Sequence, residues 1–75
     1  MTLNEAQAGE VVIIEELTDL PVSELQPIRD MGLYETGIVF VDSVKDDSVF
    51  FHKDGPVLSI PLEQAAYITV RRYQH

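Results

Sequence analysis

Apolar residues along this chain fall into short runs, each closed by glycine, proline or acidic residues. The first run, Val11–Ile14, follows a Gly9-Glu10 turn and ends at Glu15-Glu16. A run of branched residues bounded by turn signals reads as a strand buried on much of both faces. Asp19-Leu20-Pro21 then breaks it. From Ile38 onward the pattern is strand and turn. Ile38–Val44 leads into a Lys45-Asp46-Asp47-Ser48 turn, and Ser48–Lys53 is a strand rich in aromatic and β-branched residues. A loose Asp54-Gly55-Pro56 loop returns the chain into Val57–Ile60. Pro61–Ala65 predicts a single helical turn and Tyr67–Arg71 a last strand. Five short strands, one short helix and one helical turn predict a mainly β fold, a small, partly closed SH3-like barrel. Closure removes edges that so short a sheet would leave open. The expected core is led by Val11, Ile13, Val39, Val41, Leu58, Ile68 and Val70.

The helix lies between the first two strands. Ser23 and Gln26 have capping-box spacing, with Glu24 favourably placed near the helix N-terminus. Pro27 then falls late in the first turn, where it costs a backbone hydrogen bond or moves the start one step later. Gly32 is the expected stop: a positive φ is needed just after a helix cap, and glycine has no Cβ to clash. Ile28 and Leu33 occupy the two positions whose side chains meet in a Schellman stop. Glu35-Thr36-Gly37 turns the chain again. Met31, Leu33 and Tyr34 together supply more apolar side chain than a helix stop requires. They are the expected partner-binding patch, with Met31 and Tyr34 facing out, Leu33 part staple and part surface, and Asp30 and Glu35 on the rim.

With 75 residues the chain makes one domain, spanning 1–75. Thirteen Asp and Glu against five Lys and Arg give a net charge of -8, which would repel a phosphate backbone and argues against nucleic acid as partner. The absence of cysteine removes disulfides and thiolate metal sites and fits a reducing compartment. The sequence shows no basic-then-apolar leader and no apolar run of membrane-spanning length, so the expectation is a cytoplasmic protein with no direct membrane insertion.

Candidate chemistry is sparse. There is no Gly-x-Ser-x-Gly elbow and no phosphate-cradling glycine loop, and no carboxylate pair comes with a plausible base, so no catalytic activity and no cofactor are expected. Asp42, Asp46, Asp47, His52 and Asp54 form the best local metal-ligand cluster, and their residue types suit iron(II). Their spacing matches no known metal loop, and aspartates suit turns for local hydrogen-bonding reasons. The expectation is no dedicated metal site and at most weak, adventitious binding.

Three segments carry a resemblance. Thr2-Leu3, Ala6 and Gly9-Glu10 give T-L-x-x-A-x-x-G-E; Arg29–Gly37 gives R-D-M-G-L-x-x-x-G; and Ala65-x-x-Ile68-x-Val70 closes the chain. In that order and spacing they resemble the FeoA family, small cytosolic partners of the FeoB ferrous-iron transporter. The resemblance implies an SH3-like barrel without catalytic activity, acting in bacterial iron(II) uptake by contact with the cytosolic part of FeoB. It also implies a location at the inner face of the membrane through that partner. The chain departs from the family in its middle hairpin, where Asp54-Gly55-Pro56-Val57 rearranges a G-D-P-apolar segment, and in a helix that keeps only Arg29 as a basic residue. The other function class is a metal-responsive SH3-like interaction module, resembling the C-terminal domain of iron-dependent repressors.

Overall fold

The computed structural model describes residues 1–17 and 19–73. Five antiparallel strands form one sheet: β1 (Val11–Glu16), β2 (Ile38–Lys45), β3 (Ser48–His52), β4 (Leu58–Pro61) and β5 (Thr69–Arg72), in spatial order β4-β3-β2-β1-β5. Helix α1 (Val22–Asp30) connects β1 to β2, and the single turn α2 (Leu62–Ala65) connects β4 to β5. This is the mainly β, SH3-like architecture that the run-and-turn pattern predicts. A 3-10 turn at Leu3–Glu5, not anticipated, packs with α2. Its signal was in the sequence: Thr2-Leu3-Asn4-Glu5 has capping-box spacing. The Glu5 carboxylate accepts hydrogen bonds from the Thr2 amide at 2.8 Å and the Thr2 hydroxyl at 2.9 Å.

The sheet protects its edges without a full ring of hydrogen bonds. On the free side of β5, Val70 donates to the Met1 carbonyl at 2.8 Å and Leu3 donates to the Ile68 carbonyl at 2.9 Å. The N-terminal segment therefore covers that edge. β4 is four residues long and ends on Pro61, with Pro56 just before it, and prolines blunt an open edge because they lack an N–H to offer.

Helix α1 starts earlier than its capping-box signal suggests. Pro21, not Ser23, precedes the first helical residue, and its carbonyl accepts from the Glu24 and Leu25 amides at 2.9 and 3.1 Å. Proline's fixed φ is already compatible with the entry to a helix. Gln26 bonds forward to Asp30 at 2.9 Å instead of back to a cap, and Pro27 falls in the helix interior. The C-terminus matches the prediction. Gly32 has φ +94°, its amide donates to Arg29 at 2.9 Å, and the Leu33 amide donates to Ile28 at 3.3 Å. That is the double bond pattern of a Schellman stop, with Ile28 and Leu33 both buried beneath it.

The core corrects the expected phase of two strands. Val39, Val41, Ile68 and Val70 are buried as predicted, but β1 buries Val12 and Ile14 and turns Val11 and Ile13 to the outer face. In β4 it is Ile60 that is buried, while Leu58 lies at the surface. A continuous run of branched residues carries no phase of its own. Pairing sets it: Val12 opposes Val39 and Ile60 opposes Val49.

Candidate functional site

The Met31–Gly37 corner is more occupied by its own chain than the sequence suggests. Leu33 is fully buried, so the expectation that part of it faces a partner is corrected: its side chain completes the helix stop and the core. Met31 is half-buried and packs against the core. Tyr34 keeps 44% of its surface, but Lys53, just past β3, lies over its ring with Nζ 3.6 Å from the centroid and also bonds its hydroxyl. Gly37 makes this closure fit. A Cβ there would stand 3.0 Å from the Tyr34 carbonyl oxygen and 3.3 Å from Lys53 Nζ. Arg29 pairs with Glu35 at 3.3 Å across the same corner. What remains open is the unoccupied part of Tyr34 and a portion of Met31.

A larger exposed apolar surface lies on the outer face of the sheet. Val11 and Ile13 of β1 stand opposite Phe40 and Ile38 of β2, and Tyr73 continues β5 alongside by donating its amide to Val11 at 2.8 Å. Phe40 and Ile38 remain 42% and 38% exposed. Val11, Ile38, Phe40 and Tyr73 line an open groove of about 310 Å³. An apolar groove held on strands rather than loops is a preformed surface. Sequence reasoning missed it because Val11 and Ile13 were assigned to the core. The available signal was the even positions of β2, where Ile38 and Phe40 stand on the face opposite Val39 and Val41.

Polar pairs flank the strands. Glu15 meets Arg71 at 3.5 Å on this face, and Glu10 meets Arg72 at the strand ends, where the register places both on the Val12 side of the sheet. At the Phe40 end a β-bulge inserts Asp42 between Val41 and Ser43, and its carboxylate meets His52 Nδ1 at 2.7 Å. Bulges re-aim side chains in this way. The His52 ring stacks on Phe40, with centroids 5.1 Å apart and planes 10° from parallel. Hydrogen bonds from Arg72 and then from the Gln7 amide hold the Glu10 carboxyl below its ordinary pKa.

The proposed metal-ligand cluster does not converge. Only Asp42 and His52 of the five meet; Asp46 and Asp47 form the β2–β3 turn, with φ +53° and +58°, and Asp54 sits in the next loop. Among the described residues no three His, Asp or Glu side chains lie close enough together to hold a metal.

A family model described as the FeoA domain matches residues 1–72. No curated protein matches the sequence. Among solved structures, the chain is similar to an iron uptake regulatory protein (FeoA), at 19% identity over 97% of this chain and 96% of the other, with a TM-score of 0.84. It is similar to the FeoA protein from Chlorobium tepidum, at 21% identity over 99% and 71% of the two chains, with a TM-score of 0.87. A FeoA-like protein from Clostridium acetobutylicum is 22% identical over 100% and 88%, with a TM-score of 0.81.

Proposed function

The chain belongs to the FeoA family, which is associated with ferrous iron uptake, and from that premise we propose that it is a non-enzymatic accessory protein. It acts by contact with the cytosolic part of a FeoB-type iron(II) transporter. The observation that carries this reading is the outer face of β1 and β2, where Val11, Ile38, Phe40 and Tyr73 form an apolar groove on rigid strands. Rimmed apolar surfaces of this kind suit a protein partner. Val11, Ile38 and Phe40 offer neither nucleophile nor base, and the nearby His52 imidazole is engaged by Asp42 and stacked on Phe40. Residence on the cytoplasmic side, at the membrane through the transporter, follows from the same reading; among the described residues no helix is long and apolar enough to cross a membrane.

Two measurements test it together: iron(II) uptake by cells lacking the native copy, and binding of the purified chain to the transporter's cytosolic part. The wild-type chain is expected to restore uptake and to bind. Restored uptake without any binding would defeat the contact mechanism, and failure of both would defeat the accessory role.

A further inference from the structure

The outer-face groove has a definite chemistry beyond being apolar. All five Lys and Arg side chains are committed within the chain: Arg29, Arg71 and Arg72 to carboxylates, Lys45 over the Phe50 ring with Nζ 5.5 Å from its centroid, and Lys53 to Tyr34. Glu15, on this face, meets Arg71, whereas Asp42 meets, among the described residues, only the His52 imidazole. Asp42 stands two residues beyond Phe40, and His52 bridges the two, stacked on one and bonded to the other. The groove therefore ends on a carboxylate that can take an additional cation.

That arrangement selects among occupants. A second copy of this chain would bring another charge of -8 and no uncommitted lysine or arginine for Asp42. An open groove of about 310 Å³ lined by four side chains seats a few apolar side chains, the footprint of a short segment. A short segment that pairs an apolar anchor with a basic residue fits both features. Resting on the transporter-contact reading above, we propose that the groove receives a basic–apolar segment of the transporter's cytosolic part. Its apolar side chain sits among Val11, Ile38, Phe40 and Tyr73, and its Lys or Arg lies on Asp42. The net negative charge of the molecule steers such a segment toward it.

The test uses the full chain and short labelled peptides tiling the cytosolic part of the transporter, read by fluorescence anisotropy alongside binding of the intact cytosolic part. One peptide with Lys or Arg beside apolar residues is expected to bind. Phe40→Glu and Ile38→Lys should each weaken it by about tenfold or more. Asp42→Asn, which keeps a hydrogen-bonding partner for His52, should weaken it by about threefold and flatten its salt dependence. Thermal unfolding confirms that each variant is folded, and the two groove variants report independently. If the intact cytosolic part binds wild type and both groove variants equally, the groove is not the contact, although the transporter reading stands. If the intact part binds but peptides with acidic residues beside the anchors bind as well as basic ones, the role of Asp42 is wrong. If the intact part does not bind, the inference falls with the reading on which it rests. If wild type sediments as a dimer and Phe40→Glu as a monomer, the occupant is a second copy and the proposal is overturned.

Discussion

Gly32 and Leu33 are neighbours with separable roles. Gly32 sits at φ +94°, and a Cβ added there would meet only Lys53 Cδ at 3.5 Å, an ordinary contact. Gly32→Ala therefore forces a residue with a Cβ into a left-handed conformation and does little else, and should cost on the order of 1 kcal/mol. Leu33→Ala removes a fully buried side chain and should cost about 3 kcal/mol, within a total stability of about 5 kcal/mol for so small a domain. Chemical denaturation should rank them in that order. If Leu33→Ala proved the milder change, the Leu33 packing described here would be wrong. The same two residues show what was readable locally. A glycine followed by leucine after an isoleucine in the last turn announces the helix stop, because its hydrogen bonds and its apolar contact all lie within six residues. Whether Leu33 keeps any surface was not readable, because that depends on strands distant in sequence.

Helix α1 carries a defect that the rest of the fold tolerates. Pro27 lies inside it, so the carbonyl one turn earlier, at Ser23, lacks its regular amide donor. The helix is held by other means: Ile28 is buried, Leu25 packs on the core, and Gln64 from α2 donates to Glu24 at 2.7 Å. Pro27→Ala should restore the missing bond at an exposed position and stabilise the protein by on the order of 1–3 kcal/mol. Its effect is read as a rise in the denaturation midpoint with unchanged circular dichroism at 25 °C, a temperature at which roughly all of a domain of this stability is folded. An unchanged or lower midpoint would mean that the proline's restriction of the unfolded chain outweighs the lost bond. At this scale the sequence signalled both a helix and its disruption by proline. It misplaced the start because Ser23 and Gln26 imitate a capping box that Pro21 makes unnecessary.

The molecule as a whole is tied together by pairs far apart in sequence. Glu10, at the entry to β1, pairs with Arg72 at the end of β5, and this contact holds the Glu10 carboxyl below its ordinary value near 4.5. A carboxylate whose folded pKa is depressed contributes stability above its unfolded pKa and loses that contribution as pH falls through the folded value. Wild type should therefore lose melting temperature between about pH 5 and pH 2 more steeply than Glu10→Gln, with the two curves converging at the acid end. Parallel curves would show that the pair is not linked to folding. Partial exposure and solvent screening keep the difference small.

By itself the sequence determined the number and order of strands, the helix stop at Gly32, the two-aspartate turn between β2 and β3, and the predominance of negative charge. Each follows from short-range chemistry: turn residues, cap hydrogen bonds and the length of an apolar run. The family resemblance was likewise carried by three local motifs in register. Tertiary structure alone decided which residues of β1 enter the core, because a strand of consecutive branched residues can bury either face until its partners fix the register. Opposing Val12 to Val39 sent Val11 and Ile13 outward, against Phe40 and Ile38. The bulge at Asp42 then brought a carboxylate to His52, and Tyr73 reached Val11 from the far end of the chain. The outer groove is made wholly of such long-range pairings, and for that reason it could not be read from the residues that line it.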